Sequence, residues 1–184
     1  SRWAKKGVWD RAFGALSTDR DLEEVMLDRQ RCEHTNTLQG LKKHGPQALG
    51  RSRGGHGTKI HAIVDALGNP LGLTLTGAEQ ADIGQAQTLL EMTPQAQAVL
   101  ADKGYDSGAL VEHIEQMPAE PIIPPRSNRK TLRPYDRHRY KARNLVERFF
   151  NRLKQFRRIA TRYEKLASHF TAMVICGCIV IWLA

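Results

Sequence analysis

The chain has 184 residues and a net charge of +9, enough sequence to bury one sizeable core, and we interpret residues 1–184 as a single domain. The charge is uneven: residues 126–184 hold 15 Lys and Arg against 3 Asp and Glu, whereas residues 1–125 hold 13 against 16. A basic C-terminal third is typical of proteins that bind the phosphates of a polyanion. The three cysteines lack metal-ligand spacing and no N-terminal signal peptide is recognisable, so composition argues against a zinc site and secretion. We expect a reduced, cytoplasmic protein.

The N-terminal quarter combines a helical pattern with one strand and one loop. Apolar residues at helical spacing predict a helix in 1–16, and the apolar run 25–27 predicts a buried strand that ends at Asp28. An Asp at a strand end forms a turn more often than it takes part in chemistry. The stretch 50–57, rich in Gly and Arg, predicts a flexible cationic loop.

A hairpin is predicted next. The strand-like runs 59–64 and 71–76 flank a Gly-Asn-Pro turn and should pair antiparallel. Turn formation is a sufficient explanation for Asp65, which precedes that turn. We interpret His56 and His61 as ordinary loop and strand histidines rather than metal ligands.

Two nearby acids follow a short strand in the middle of the chain. Residues 82–92 have helical spacing, and the brief apolar strand 98–101 leads directly into Asp102. Either Asp106 or Ser107 can cap the helix that follows. One of the two acids should be structural, and we assign that role to Asp106.

The C-terminal third is dominated by a basic amphipathic stretch at 140–154. A short strand at 121–125 and a basic loop at 126–139 lead into it, and its apolar residues recur at helical spacing: Leu145, Val146, Phe149, Phe150, Leu153 and Phe156. One helix face should therefore pack, while Glu147 lies among cations on the other. A lone Glu on such a face is more often a solvated charge. The apolar run 170–184 is too short for a confident membrane span and predicts a buried helix.

The spacing Tyr-x2-Arg-x3-Glu-x6-Lys within 140–154 resembles the signature of DDE transposases of bacterial insertion sequences. The segment Ala-Asp-Lys-Gly-Tyr-Asp at 101–106 resembles the one that holds the second catalytic Asp of that family. Residues 50–65 are similar to the insertion-sequence-five-like branch. The resemblance covers nearly the whole chain.

This resemblance implies an α/β fold with a ribonuclease-H-like mixed sheet flanked by helices. It implies that Asp28, Asp102 and Glu147 are catalytic and hold two Mg²⁺ ions, with Mn²⁺ as a substitute, since these ions prefer oxygen ligands. The side chains expected to contact DNA are Tyr140, Arg143, Lys154, Arg126, Arg129 and Lys130. The implied reaction is strand cleavage at transposon ends followed by strand transfer into target DNA. We expect a homo-oligomer on DNA, associated with the nucleoid and not with a membrane.

Two departures from the family pattern favour an alternative to the catalytic function. Residues 29–43 differ from the family, and a shifted reading of the codons for 32–41 gives a family-like sequence, so we infer a local frameshift. Because Arg29 and Arg31 replace small or apolar residues, we expect the strand to end early and to hold Asp28 loosely. The chain also begins without Met and resembles the middle of a longer protein that lacks an N-terminal region.

We therefore expect the chain as written to be inactive or nearly so. The alternative function is that of a noncatalytic DNA-binding remnant that inhibits or regulates transposition. A nuclease that hydrolyses DNA without joining strands is a third interpretation.

Overall fold

The computed structural model describes residues 2–34, 47–52, 55–129 and 132–184. Within these ranges seven strands form one mixed sheet: β1 (Glu24–His34), β2 (Gly50–Ser52), β3 (Gly55–Val64), β4 (Pro70–Gly77), β5 (Ala98–Ala101), β6 (Glu120–Ile122) and β7 (Thr161–Arg162). The α-helices are α1 (Arg2–Lys5), α2 (Val8–Leu16), α3 (Ile83–Leu90), α4 (Gly108–Gln116), α5 (Asn144–Leu153), α6 (Arg157–Ala160) and α7 (Ala167–Trp182). Short 3₁₀ helices cover Lys103–Tyr105 and Arg139–Arg143.

Strand β1 lies at the centre of the sheet. It pairs antiparallel with β3, and β3 pairs antiparallel with β4 on its other edge. On the opposite edge β1 pairs parallel with β5, and β5 pairs parallel with β6. The order β4-β3-β1-β5-β6 follows, with β2 beside the start of β3 and β7 beside the end of β1. The predicted α/β fold, with a mixed sheet flanked by helices, is confirmed.

The two faces of the sheet carry separate hydrophobic cores. Met26 and Leu100 belong to the core formed with α5 and α7, and we call this side the α5 face. Leu27 and Val99 belong to the core formed with α3 and α4, the α3 face. Because successive strand residues point to opposite sides, the position of a residue in β1 or β5 decides which set of helices it meets.

Most of the predicted elements are confirmed. The hairpin corresponds to β3 and β4, and Asp65 accepts hydrogen bonds in its turn from the N–H groups of Leu67 at 3.0 Å and Asn69 at 2.8 Å. Strand β5 has the predicted bounds, and the Ser107 hydroxyl caps α4 by accepting from the N–H of Leu110 at 3.1 Å. The C-terminal apolar run forms the buried helix α7. In the ranges given above, no helix is long and apolar enough to cross a membrane.

Two predictions about the strands are wrong. The stretch 50–57 is not simply a loop, because its described residues form β2 and the first residues of β3. Strand β1 does not end near Asp28 either; it continues to His34 and stays paired with β3 as far as Glu33. Residues 35–46, in which most of the proposed frameshift falls, lie outside the described residues, as do 53–54 and 130–131.

The continuation of β1 has a simple electrostatic reason. The Arg29 side chain lies on the α3 face just beyond the N-terminus of α3, where it remains 42% exposed and forms an ion pair with Asp82. On the other face Cys32 is buried among apolar residues. For Arg29, the expected cost of burying an unpaired cation therefore does not arise.

Candidate active site

Two aspartates lie at equivalent positions of adjacent parallel strands. Leu27 of β1 and Ala101 of β5 are register partners, so Asp28 and Asp102 each stand one residue further along neighbouring strands. Leu27 and Ala101 belong to the core on the α3 face, and successive strand residues point to opposite sides. The side chains of Asp28 and Asp102 therefore leave the backbone on the α5 face. The strand register thus brings together two carboxylates that are 74 positions apart in the printed sequence.

Asp28 is held by hydrogen bonds and is largely buried. Its Oδ1 accepts from the backbone N–H of Arg29 at 2.8 Å, and its Oδ2 accepts from Nη1 of Arg143 at 2.9 Å. Burial raises the pKa of the Asp28 carboxyl above its usual value, the two arginines lower it, and the nearby charge of Asp102 raises it further. The net direction of this pKa is upward, chiefly because burial outweighs the hydrogen bonds and the charge of Arg143.

Asp102 is oriented by the turn that follows it. Its Oδ1 accepts a hydrogen bond from the N–H of Gly104 at 2.8 Å and so caps the 3₁₀ helix. A Cβ at position 104 would lie 2.8 Å from the same oxygen, so glycine is what permits this close approach. The remainder of the Asp102 side chain is partly exposed.

Arg143 connects Asp28 to Glu147. Its Nη1 binds Asp28, and its Nη2 donates to Oε1 of Glu147 in the first turn of α5. The Arg143 side chain is 16% exposed and that of Glu147 is 48% exposed, so the acid lies at the solvent edge of the pair. A planar guanidinium suits this role because it can bind two carboxylates at once.

The predicted helix at 140–154 needs one correction. Its first part is a 3₁₀ helix and α5 begins only at Asn144, so the α-helical wheel does not apply to Tyr140 and Arg143. Residues three apart eclipse each other in a 3₁₀ helix, and the Arg143 guanidinium carbon lies 5.8 Å from the centroid of the Tyr140 ring. The packed face is as predicted, with four buried apolar residues: Val146, Phe149, Phe150 and Leu153.

The donor set suits Mg²⁺, because Asp28, Asp102 and Glu147 offer only oxygen ligands. In the part of the chain that the structure describes, however, no three Asp, Glu, His or Cys side chains are grouped closely enough to share an ion. The Arg143 guanidinium lies between Asp28 and Glu147. For these two carboxylates to bind the same ion, the guanidinium must release at least one of them.

The remaining predicted DNA contacts are distributed around this group. Arg126 and Arg129 bind the turn that follows Asp102, where Arg129 pairs with Asp106 at 2.6 Å. Lys154 is exposed at the C-terminus of α5, about 10 Å along the helix from Glu147. Lys130 lies outside the described residues.

Sequence reasoning missed a second ionic cluster on the α3 face. Asp82, just before α3, accepts from Nζ of Lys59 at 2.8 Å and also pairs with Arg29. Beside it, burial raises the pKa of Tyr105, and the charges of Asp28, Asp82 and Asp102 raise it further, so the phenol stays neutral among three carboxylates. The alternation of β1 and β3 is the signal that would have placed Arg29 and Lys59 on one face.

Comparison with known proteins gives a consistent set of relatives. Residues 19–183 match the family described as "Transposase DDE domain". The chain is 39% identical over 127 residues to a Brucella ovis protein named as a transposase for insertion sequence element IS6501, covering 68% of this chain and 98% of that relative. It is 31% identical over 170 residues to a Burkholderia cepacia protein named as a transposase for insertion sequence element IS402, covering 86% of this chain and 77% of that relative.

Solved structures resemble the chain more distantly. A piggyBac transposase synaptic complex matches 68% of this chain and 28% of that chain, with a TM-score of 0.45 and 14% identity. A simian T-cell lymphotropic virus intasome matches 87% and 48%, with a TM-score of 0.49 and 11% identity. A pre-cleavage Mos1 transpososome matches 98% and 60%, with a TM-score of 0.38 and 10% identity. The chain thus spans less than two thirds of each of these solved chains.

Proposed function

We propose that this chain, which belongs to the family of transposase DDE domains, cleaves DNA strands at the ends of a mobile element and joins them to target DNA. The observation that carries the proposal is the strand register that places Asp28 beside Asp102, with Glu147 connected to Asp28 through Arg143. We further propose that the chain belongs to the insertion-sequence-five-like branch, which the likeness of residues 50–65 and the signature at 140–154 support. We take residues 1–184 to be one catalytic domain.

Three carboxylates form the centre of the proposed site. Asp28, Asp102 and Glu147 hold two Mg²⁺ ions, and Mn²⁺ can replace them because it accepts the same oxygen ligands. When bound, such ions activate the attacking oxygen and stabilise the leaving one. Burial of Asp28 favours this role, since a carboxylate that loses hydration gains more from a cation beside it.

The cations around the acids bind the DNA backbone. Arg143 presents a planar fork that suits phosphate as well as carboxylate, so DNA can take the guanidinium from Asp28 and Glu147. Tyr140 lies against Arg143 and adds a hydroxyl, and Lys154 extends the positive surface along α5. These contacts position the scissile phosphate without a protein nucleophile.

The chemistry of a mobile element also defines the partners. An element has two ends, and cutting both together requires two active sites, so we propose a homo-oligomer assembled on DNA and located at the nucleoid. Sedimentation of the chain with and without end DNA tests this assembly, and a single monomer on paired ends would contradict it.

A noncatalytic DNA-binding protein is the second candidate. The specific observation in its favour is the ion pairing of Arg143 with both Asp28 and Glu147, which occupies two of the three acids with a single cation. The expectation that the chain is inactive loses one support, because β1 continues past Asp28 to His34. A single assay of strand cleavage distinguishes the two candidate functions.

The decisive experiment uses Glu147→Gln and duplex DNA that carries the terminal repeats read from the DNA flanking the gene. With Mg²⁺ the variant should cut at least on the order of 10²-fold more slowly than the original chain, since misplacement of about 1 Å already costs that much. Its DNA affinity should be equal or higher, because a negative charge beside phosphates is removed. Glu112→Gln, an exposed position on α4 with the same change in charge, is the control.

The outcomes separate the candidates. Mg²⁺-dependent cutting that survives in Glu147→Gln would rule out the proposed role of this residue. DNA binding by the original chain without any cleavage would instead support the noncatalytic candidate.

A further inference from the structure

Asp106 is a buried carboxylate that the proposed chemistry does not use. Its side chain is 2% exposed, and its Oδ2 accepts from the backbone N–H of Arg126 at 2.8 Å and from Nε of Arg129 at 2.6 Å. Its Oδ1 lies 3.6 Å from Nη1 of Arg133. One carboxylate thus contacts three arginines of the basic loop that leads towards α5.

The same loop binds the backbone of the turn that presents Asp102. Arg126 donates from Nε to the carbonyl of Lys103 at 3.2 Å and from Nη2 to the carbonyl of Gly104 at 2.6 Å. Arg129 donates from Nη2 to the carbonyl of Asp106 at 3.3 Å. These bonds join the arginine loop and the Asp102 turn into one hydrogen-bonded unit.

The outer side of this unit is positive and accessible. Lys103 and Arg126 are exposed, and the side chains of Arg129 and Arg133 are 28% and 33% exposed. Arg129 and Arg133 face the buried carboxylate of Asp106, and Arg126 binds the turn that precedes it. A guanidinium has five N–H donors, and the contacts above occupy two on Arg126 and two on Arg129, which leaves donors for phosphate oxygens.

Asp106 is charged at neutral pH. Burial raises the pKa of its carboxyl, but the hydrogen bonds from Arg129 and the Arg126 backbone, with the charges of Arg129 and Arg133, lower it more. The net pKa lies below the usual value. A charge-assisted hydrogen bond therefore holds Arg129 in place, the carboxylate charge attracts Arg133, and the backbone of Arg126 is fixed beside them.

We propose that Lys103, Arg126, Arg129 and Arg133 form a DNA-backbone-binding surface, the Asp106 surface, beside the turn of Asp102, and that Asp106 is its positioning residue. The inference rests on the proposed function, since it takes DNA as the polyanion. Arg126 is bonded to the turn itself, so a phosphate that it binds lies next to the turn that presents Asp102. Pre-ordered arginines also lose less conformational freedom on binding.

Positioning and net charge predict opposite results for Asp106→Asn. Removal of one negative charge near a DNA-binding surface should strengthen binding if only the sum of charges matters. If Asp106 positions the arginines, its neutral replacement releases them. DNA binding then weakens although the protein has become more positive.

The test measures the affinity of the full chain for a fluorescein-labelled duplex of random sequence, in EDTA, over a series of salt concentrations. Each phosphate contact contributes about −0.9 to the slope of log affinity against log salt on duplex DNA. Asp106→Asn should flatten the slope by about one to two contacts and lower the affinity several-fold at low salt. Glu115→Gln on the exposed side of α4 makes the same change in charge and should leave the slope unchanged.

A second variant retains the charge. Arg129→Lys keeps the cation but cannot form both the Nε bond to the Asp106 carboxylate and the Nη2 bond to the Asp106 carbonyl. It should flatten the slope without any change in net charge, and it serves as the deciding variant if circular dichroism shows that Asp106→Asn is unfolded. A slope for folded Asp106→Asn equal to that of Glu115→Gln overturns the proposal, as does an unchanged slope for Arg129→Lys.

The outcome is independent of catalysis. EDTA removes the divalent ions that the proposed cleavage needs, so a flattened slope supports the Asp106 surface even if the chain never cuts DNA. Loss of cleavage in Glu147→Gln with unchanged slopes for Asp106→Asn and Arg129→Lys would leave the proposed function standing and overturn only this inference.

Discussion

At the scale of single residues, Asp102 and Asp106 show how two acids of one short segment take different environments. Asp102 follows the last residue of β5, is partly exposed and has the same register as Asp28. Asp106 is buried and bound by arginines. Of the two carboxylates, Asp102 is therefore the one open to solvent, while Asp106 is bonded to the loop at Arg126 and Arg129.

We predict that Asp102→Asn and Asp106→Asn separate the turnover rate from DNA binding. Asp102→Asn should reduce Mg²⁺-dependent cleavage as strongly as Glu147→Gln, on the order of 10²-fold or more at saturating DNA. Asp106→Asn should cost much less at saturating DNA and act mainly through the DNA concentration needed for half-maximal rate. Single-turnover cleavage over a DNA titration measures both quantities, and equal losses of rate would reverse the two assignments.

The sequence carries enough information to place Asp28 and Asp102 together but not to place Arg143. Two apolar runs that each end in Asp predict two strand ends, and parallel pairing then aligns them. The position of Arg143 depends on a 3₁₀ helix that precedes α5, and helical spacing alone does not distinguish it from an α-helix. The contact with Asp28 joins residues 115 positions apart, which local patterns do not reveal.

At the scale of elements, the length of β1 is the main difference between the prediction from sequence and the structure. Polar residues after Asp28 suggested an early end, yet alternation lets Arg29 reach Asp82 while Cys32 fills the opposite core. Asp82 is 53 positions away, so this compensation is visible only after β1 and β3 have been paired. Short-range polarity thus predicted an early end of β1, whereas contacts distant in sequence let the strand continue to His34.

The pairing of β3 with β4 contains a pH-sensitive residue. His61 is buried and its Nε2 forms a hydrogen bond with Thr76 Oγ1 at 2.8 Å. Burial lowers the pKa of His61 from 6.5 to about 4, with the positive charges of Lys59 and Arg29 adding to the decrease and Asp82 opposing it. The folded state therefore binds this proton less readily than the unfolded state does.

We predict that His61 makes the free energy of unfolding depend on pH below neutrality. Its contribution is fully present above pH 6.5 and is lost as the pH falls towards about 4. At about 1.4 kcal/mol per pKa unit, the loss is on the order of 3 kcal/mol. Urea unfolding of the chain and of His61→Gln at a series of pH values measures it, since the variant lacks this titration. Parallel stability curves for the two proteins would contradict the assigned environment of His61.

At the scale of the whole molecule, the basic C-terminal third is tied to the sheet by one fully buried arginine. Arg162 of β7 donates from Nη1 to Thr58 Oγ1 at 2.6 Å and to the carbonyl of Ala48 at 3.2 Å, and from Nε to the carbonyl of Glu164 at 2.9 Å. Its guanidinium also lies 4.9 Å from the ring centroid of Phe170 in α7. The sequence analysis included Arg162 in the basic, phosphate-binding part of the chain, whereas its burial gives it a structural role.

The last prediction follows from that burial. Arg162→Met fills similar space but removes the guanidinium that donates to Thr58 Oγ1 and to the carbonyls of Ala48 and Glu164. The Thr58 hydroxyl still donates to the Ala48 carbonyl at 2.6 Å, so the cost is that of the lost hydrogen bonds from a charged donor, about 1.5 to 3 kcal/mol each. Burial already lowers the pKa of Arg162 to about 10, so part of this cost is offset by removing a desolvated cation. We therefore expect the free energy of unfolding to fall by about 3 kcal/mol in urea titrations. Arg157→Met is the control, because Arg157 is exposed on α6 and an exposed charge should contribute less than about 1 kcal/mol. Equal losses in the two variants would show that Arg162 does not join the C-terminal segment to the sheet.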